Sequence, residues 1–320
     1  MSTLRKLERD FIKADLSAVQ GLLAQLGEED VMARFGLESR RDELVQTIAH
    51  LEALPAEQMA SAALYFGGTP VAGTRGIESD FATNAVAKFQ DLVSKVLAHE
   101  SGGLAQRGVV PNKSASTLHI TNVVRGSFGF LLEELKTAPQ PDGTTLKEAV
   151  DETTRLLQAF GDSEEQYRSV VETIDERVLG TARDFFDLMR QRGATLRLVT
   201  EATDRSFGSQ AVAKAAERAS STDVEDKEEN LRGQLVGVLP SFHQFEFRPV
   251  GNREVIHGKI SSAIPSYQLE EFSKNLVFVD VTARLRLKRV RRSGAIVRES
   301  YTLLELERVG GGLLEDHSHQ

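Results

Sequence analysis

The sequence predicts an α+β protein with an N-terminal helical hairpin, a central α+β domain and a small C-terminal β-barrel. Three observations support this fold class. Apolar residues recur every three or four positions up to about Leu54. A strand, a helix, an antiparallel hairpin and further helices then follow one another up to residue 219. Beyond residue 231 the apolar period changes to two, which is typical of strands.

Composition excludes several classes of protein. The 320 residues include 39 Lys and Arg and 47 Asp and Glu, which gives a net charge of −8, and there is no Cys. The sequence therefore has no disulfide, thiol nucleophile, thiolate zinc site or iron–sulfur cluster. It contains no apolar stretch of about 20 residues, and its charged first 11 residues do not resemble a signal peptide, so we expect a cytoplasmic protein without a membrane span.

The first segment, residues 1–56, is predicted to be an antiparallel helical hairpin. Leu16, Val19 and Leu23 lie on one face of the first helix, and Ser39 is in a suitable position to cap the second. Each helix has only one apolar stripe, so the hairpin cannot enclose a core of its own. We therefore expect it to pack on the next domain, on another copy of the chain or on a protein partner.

Residues 57–219 are predicted to form the central domain. A strand ends at Gly67-Gly68, a helix follows from about Ser79, and a hairpin over 116–135 turns at Arg125-Gly126-Ser127. Capping boxes then start helices at Thr145 with Glu148 and at Ser163 with Gln166. The second of these helices is predicted to be long and to continue to Gly193, with a strand over 194–201 and an Ala-rich helix over 204–219 after it.

An acidic linker is predicted over residues 220–230, because five Asp and Glu residues occur there with almost no apolar side chain. Three strands, a short helix and two strands follow within 231–309, which is the element order of an OB-like barrel. The tail, residues 310–320, is predicted to be disordered.

A basic cluster on one strand of this barrel is the most informative charge feature. Residues 232–309 hold 13 Lys and Arg and 8 Asp and Glu, a net charge of +5. In an OB-fold, Phe242 and His243 would flank a binding face from one loop, and the end of the basic strand would flank it from another. The cluster therefore predicts a candidate single-stranded nucleic-acid site, whose proposed members are Phe242, His243, Arg284, Arg286, Lys288, Arg291 and Arg292.

Two other interpretations of the basic cluster stay open. Alternate residues of an outer strand are polar in any barrel, and Lys or Arg there often serve solubility and block edge pairing. We favour this interpretation over a binding site, because few aromatic residues alternate with the basic ones on the strand. In the second interpretation, the basic cluster binds an acidic partner, which includes the acidic N-terminal part of this chain.

A weaker candidate site for phosphate lies in the glycine-rich segment 67–76, which ends just before a predicted helix N-terminus. Arg75 and Asp80 would be its functional residues. The segment lacks the spacing of both common phosphate-binding motifs, so we favour the interpretation that its glycines permit tight turns.

No catalytic or metal-binding motif is found. His119 shares the predicted hairpin with Arg125 and Ser127, but no recognised signature links the three residues. The seven His residues show no ligand spacing. The sequence therefore predicts no cofactor and no metal.

Two segments resemble known bacterial sequences. Ala62 to Val93 and the hairpin Val124 to Phe130 are similar to stretches of uncharacterised bacterial proteins, and the Gly-Ser-Phe turn resembles small α+β modules of bacterial conflict systems. The resemblance covers about a tenth of the chain and assigns no functional residue. It implies a bacterial, defence-related context.

Together these observations favour a non-enzymatic interaction or assembly subunit. A single-stranded nucleic-acid-binding protein that acts through the barrel is the first alternative. A nucleotide- or phosphate-processing enzyme that uses Arg75, Asp80 or His119 is the second.

Overall fold

The protein is described by a computed structural model. The residues that it describes are 4–27, 30–54, 58–105, 107–124, 128–135, 143–171, 174–251 and 254–309. The chain is mixed α and β, which confirms the predicted α+β class. It divides into two compact units, Met1–Ser220 and Ser221–Gln320. The predicted turn at 125–127 and the predicted disordered tail at 310–320 lie outside the described residues.

Two long helices open the first unit, and we call this pair the arm. Helix α1 spans Arg5–Gln25 and helix α2 spans Val31–Ala53. The expectation that the second helix starts near Ser39 was wrong, because the helix begins eight residues earlier, directly after Asp30. Glycine at position 36 weakens a helix but does not stop it, and the segment on either side of it has good helix formers.

A single antiparallel sheet forms the centre of the first unit. Its strand order is β2-β3-β1-β4-β5, and its strands are β1 (Ser61–Gly68), β2 (His119–Val124), β3 (Phe128–Glu133), β4 (Ala194–Val199) and β5 (Asp204–Phe207). The predicted hairpin is the β2–β3 pair, in which Ile120 lies opposite Leu132. Residues 204–207, predicted as the start of a helix, instead pair with β4 through Leu196 opposite Phe207.

Five helices of the described chain follow or separate these strands. They are α3 (Ser79–Glu100), α4 (Thr145–Gly161), α5 (Glu164–Val171), α6 (Glu176–Gln191) and α7 (Ser209–Ser221). The prediction of one long helix from Ser163 to Gly193 was wrong. The side chain of Asp175 accepts a hydrogen bond from the backbone N–H of Arg177 and so starts α6 as a separate helix. Similarly, Thr144 and not Thr145 caps α4, through Lys147 N–H at 3.1 Å.

Large buried aromatic rings fill the core beneath the helices. Phe186 contacts the rings of Phe160, Phe185 and Phe207, with centroids 5.6–6.0 Å apart. Such tilted and edge-on pairs stabilise a core beyond the area that they bury. The apolar residues that recur at helical spacing in α4 and α6 are therefore core residues.

Arg218 of α7 is a buried charge that closes the end of α4. Its guanidinium donates to the backbone carbonyls of Phe160 at 3.0 Å and Asp162 at 2.8 Å, and it pairs with Glu164 at 3.2 Å. It also lies over the ring of Tyr167, 4.9 Å from the centroid. The last carbonyls of a helix need donors, and one arginine supplies them here.

The second unit is a closed barrel with the strand order β10-β8-β7-β6-β9. Its elements are β6 (Thr222–Leu239), β7 (Gln244–Pro249), β8 (Ile256–Ile260), α8 (Ser266–Asn275), β9 (Asp280–Arg292) and β10 (Ala295–Arg308). Neighbouring strands are antiparallel except β8 and β10, which are parallel. The core of the barrel includes Phe245, Phe247, Leu269 and Leu285.

The acidic linker predicted over 220–230 was wrong. Its residues from Thr222 onward are the first half of β6, and they pair with β9 in continuous register from Thr222 opposite Arg292 to Asn230 opposite Arg284. Thr222 and Val224 are buried. The acidic side chains in this stretch thus belong to a strand whose partner is the basic strand.

Glycine is required where barrel backbones meet most closely. A Cβ at Gly233 would lie 2.2 Å from the carbonyl oxygen of Arg248, and one at Gly258 would lie 2.4 Å from that of Tyr301. Both distances are far below contact, so any side chain would push the strands apart.

Candidate interaction surfaces

The basic cluster of β9 is paired with acidic residues on both neighbouring strands. Arg284 contacts Glu305 of β10 at 3.0 Å. Arg286 approaches Asp226 at 3.8 Å and Glu228 at 3.5 Å, both on β6. These ion pairs cross the sheet at positions that the register places opposite or next to one another.

The pairing continues toward the end of the strand. Arg289 lies between Glu225 and Glu299, and Arg291 contacts Glu225 at 3.4 Å. Burial opposes ionisation of Glu225, but Lys227, Arg291 and Arg289 outweigh it and lower the pKa of this carboxyl. The hydrogen bond to Glu299 is the main reason that the pKa of Arg289 is raised. Lys288 lies opposite Asp226 and Ser300 in the register.

The acidic half of β6 therefore cancels most of the charge of the barrel. With residues 220–231 included, the segment 220–309 holds 14 Lys and Arg and 13 Asp and Glu, a net charge of +1. The charge of +5 over residues 232–309 therefore does not describe the whole barrel, because β6 begins ten residues earlier and carries five acidic residues.

The structure does not bring all the predicted nucleic-acid residues together. Phe242 is 73% exposed and follows the C-terminal end of β6, and His243 is beside it with a positive φ of 48°. Arg291 and Arg292 lie opposite Asp223 and Thr222, at the other end of the same strand. The path along β6 between these two ends is about 56 Å, at roughly 3.3 Å per residue.

The glycine-rich segment 67–76 forms a compact turn. Its backbone groups bond to one another, with Ala72 N–H to Gly76 C=O at 2.9 Å and Arg75 N–H to Ala72 C=O at 3.0 Å. Asp80 in the first turn of α3 pairs with Arg192 at 3.1 Å. Glu78 pairs with the same arginine, so a phosphate here would meet two carboxylates.

The remaining sequence candidates form no constellation. His119 begins β2 opposite Glu133, whereas Arg125 and Ser127 lie outside the described residues. Within the described parts of the chain, no three His, Asp or Glu side chains are placed to hold a metal ion. None of the helices searched in those parts meets the length and hydropathy needed to cross a bilayer.

The arm presents a different kind of surface. Buried and half-buried apolar residues of the two helices face one another, and we call them the seam. On α1 and its C-cap they are spaced by four and three in turn, and they are Ile12, Leu16, Val19, Leu23 and Leu26. On α2 they are spaced by seven, four and three, and they are Leu37, Leu44, Ile48 and Leu51. Only Val19 and Leu44 of the described arm residues are fully buried within the helices.

Polar contacts fix the register of the arm. Lys13 pairs with Glu52 and Arg40 with Asp15, each at 2.9 Å. At the far end, Arg34 donates to the backbone carbonyl of Leu26 at 3.1 Å. The base of the arm is attached through Leu4, which is 1% exposed and packs with Ala63, Tyr65, Leu131 and Val199 on one face of the sheet.

Three apolar side chains at the far end of α2 remain outside the seam. Val31, Met32 and Phe35 are 66%, 85% and 71% exposed. At 3.6 residues per turn they lie on the side of α2 opposite Leu37 and Leu44, and spacings of three and four make them neighbours. We call this cluster the tip.

An apolar groove lies at the β2 edge of the sheet, beside α3. Its volume is about 360 Å³, and no charged side chain is among the described residues that line it. Thr83, Val86 and Ala87 of α3 form one wall, and Ile120 of β2 and Phe130 of β3 contribute to the other. Ile120 is 55% exposed. We call this the edge groove.

Sequence reasoning identified neither the tip nor the edge groove. Val31, Met32 and Phe35 were missed because the helix was expected to start after them. The sequence does hold one signal that could have identified them, since their spacing does not continue that of the seam residues. The edge groove depends on pairing between strands and on the short side chains of α3, which no single segment reveals.

Comparison with protein-family models, with curated proteins and with solved structures gave no match to this chain. The sequence resemblance to bacterial conflict modules therefore stays a prediction.

Proposed function

We propose that the protein is a non-enzymatic interaction or assembly subunit that associates with a second copy of itself through the arm. The observation that carries this proposal is the exposure of the tip, at 66–85% for Val31, Met32 and Phe35. Burying a large apolar side chain stabilises a complex by about 1.5–3 kcal/mol relative to leaving it in water. Three adjacent residues of this kind on a polar helix mark a contact surface.

The arm does not need the tip residues for its own fold. The seam and the three polar contacts already join α1 to α2. The tip side chains face away from that seam, so they contribute little to the hairpin while they increase the exposed apolar area. A partner that covers them explains why they are apolar.

Light scattering coupled to size-exclusion chromatography tests this proposal. The wild-type chain is expected to be a dimer, and Phe35→Asp combined with Met32→Asp is expected to be monomeric with an unchanged circular dichroism spectrum. Phe11→Asp is the matched control, because Phe11 is 75% exposed but lies on α1 near the base of the arm. A monomeric wild type, or equal effects of the tip and control variants, would contradict the proposal.

We also propose that the barrel is OB-like. Its first strand pairs with the second and the fourth, and its third and fifth strands are parallel neighbours, with α8 between the third and fourth. This connectivity supports the classification, since the OB-fold is a five-stranded Greek-key barrel.

Single-stranded nucleic-acid binding through this barrel is the second candidate function, and the strand order favours it. The ion pairs of Arg284, Arg286 and Arg291 weigh against it, because a bound phosphate would compete with carboxylates already in contact. A mobility-shift assay with a single-stranded oligonucleotide at low salt decides between the two. The interaction-subunit proposal expects no shift. A salt-sensitive shift that Arg291→Glu and Arg292→Glu abolish would favour nucleic-acid binding.

An enzyme that uses Arg75, Asp80 or His119 has less support, because Asp80 is engaged by Arg192. We also propose that the protein is cytoplasmic, which its composition supports, and that it belongs to a bacterial defence complex, which the sequence resemblance supports.

A further inference from the structure

We propose that a cavity between helices α3, α4, α5 and α6 binds a small organic cation, namely an ammonium or guanidinium group that carries a short alkyl chain. The described residues that line this cavity come from all four helices and from the link between α5 and α6, and its volume is about 240 Å³. We call it the helix cavity. None of these lining residues belongs to the arm, so the proposal is independent of the proposed self-association.

The interior of the helix cavity is apolar. Five of its lining side chains are aliphatic and at most 4% exposed, and they are Val96, Leu156, Val170, Ile174 and Val178. An apolar cavity of roughly 150 Å³ accepts a benzene ring. A volume of about 240 Å³ therefore has room for a short alkyl chain together with a polar head group.

The polar lining of the helix cavity is acidic. Its carboxylates are those of Glu100, Glu152 and Asp175, and His99 is the other titratable group among the described lining residues. Asp175 caps α6 at 2.8 Å, and Glu152 accepts a hydrogen bond from Arg155 at 2.6 Å. Glu100, in contrast, has no ion pair among the described residues. Its carboxylate is therefore available to a ligand.

Glu100 is in an unfavourable position for a carboxylate. It is the last residue of α3, where the helix dipole places partial negative charge. Loss of hydration, and then the carboxylates of Glu152 and Glu148, raise the pKa of Glu100, whereas Arg155 opposes them. These three carboxylates and one guanidinium leave two net negative charges. A cation bound beside Glu100 relieves this repulsion.

An alkylated cation fits the helix cavity better than a metal ion. Calcium and magnesium need several converging oxygen ligands, and no three His, Asp or Glu side chains in the described parts of the chain are placed to supply them. A bare ion would also leave the aliphatic interior unfilled, whereas an alkyl chain gains from contact with it. Charge and apolar surface together therefore select the ligand class.

An NMR titration of the full-length, isotopically labelled chain tests the site. The probes are n-butylamine, which is charged at neutral pH like the side chain of lysine, n-butanol, which lacks the charge, and methylamine, which lacks most of the chain. We expect n-butylamine to shift the backbone amide signals of Glu100 and Val178 and to bind about tenfold more tightly than either other probe. Equal affinities of n-butylamine and either other probe, or no shift at these residues, would overturn the proposal.

Glu100→Gln gives the second measurement. This variant keeps the shape of the side chain but removes its charge, and it is expected to weaken n-butylamine binding about fivefold without affecting n-butanol. Glu165→Gln is the matched control, because it makes the same change of charge at an exposed position of α5 that does not line the helix cavity. Equal effects of the two variants would show that the overall charge of the chain attracts the amine, and would likewise overturn the site.

Discussion

In both the β6–β9 pair and the tip, the surroundings of the side chains differ from what their residue types suggest in the sequence. The β9 arginines, which in the sequence suggest a surface for a foreign partner, contact acidic residues of the same barrel. The apolar residues of the tip, which in a helix usually indicate a core, are exposed to solvent. The difference shows that neither charge nor hydropathy identifies an interface until the neighbouring element is known.

Ion pairs and apolar contacts also respond differently to the solvent. Ion pairs between exposed strands depend on salt and pH, because both charges remain close to water. Contact between apolar surfaces depends little on either. The barrel and the proposed dimer are therefore expected to respond to different conditions.

The largest effect is expected where a charge is buried. Arg218→Met should lower the free energy of unfolding of the first unit by about 3 kcal/mol, since the carbonyls of Phe160 and Asp162 lose a donor. Arg168→Met is the control, because Arg168 pairs with the same Glu164 but its side chain is 64% exposed. Urea unfolding measures both, and similar losses for the two variants would show that burial does not matter here.

A smaller effect is expected on the barrel surface. Glu228→Lys places a positive charge opposite Arg286 and should destabilise the barrel by about 1 kcal/mol. For a domain of this size that corresponds to a fall in melting temperature of about 4–8 °C. Glu307→Lys makes the same change of charge opposite Thr282 and should change the melting temperature much less. Equal melting temperatures for the two variants would contradict the charge pairing.

A similar or smaller effect on barrel stability is expected when the charges of Arg284 and Glu305 are exchanged. Arg284→Glu alone places two carboxylates together, and adding Glu305→Arg should restore most of the lost stability, about 0.5–1 kcal/mol. Thermal melts of the single and double variants form the test. A double variant as unstable as the single one would mean that the observed pair contributes nothing.

The smallest effect concerns pH and salt. The pKa of Glu225 is lowered in the folded barrel, so its contribution to stability is present above the unfolded pKa of about 4.3 and is lost as the pH falls through the lower folded value. We expect the melting temperature of the barrel to decrease when the pH is lowered below about 4.3, and to decrease less in Glu225→Gln.

The mass of the proposed dimer at neutral pH should stay constant between low and high salt. A dimer that dissociates at high salt would indicate a charged interface.

Patterns within single elements predicted much of the fold. The α+β class, the β2–β3 hairpin and the helix at Ser79 all follow from local periodicity. The acidic strand was missed because its charged residues outweighed the alternation of Thr222 and Val224, which are buried. Strand pairing is a property of two segments, and a single sequence does not show which acidic run meets which basic one.

The candidate sites were less predictable than the fold. Arg284 and Arg286 do lie on one strand, but their acidic neighbours decide what their charges do. The tip required the correct start of α2, and the edge groove required the packing of α3 on the sheet. Both depend on tertiary structure, which local periodicity does not encode.

The arm is attached to the sheet at one end, where Leu4 packs against it. Helix α1 has 21 residues and is about 31 Å long, while Leu4 is held at one end against the sheet. A rotation of about 10° around that attachment moves the far end by roughly 5 Å, the rise of one helical turn. A small change in the angle of the arm at Leu4 would therefore shift the position of the tip by about the height of one helical turn.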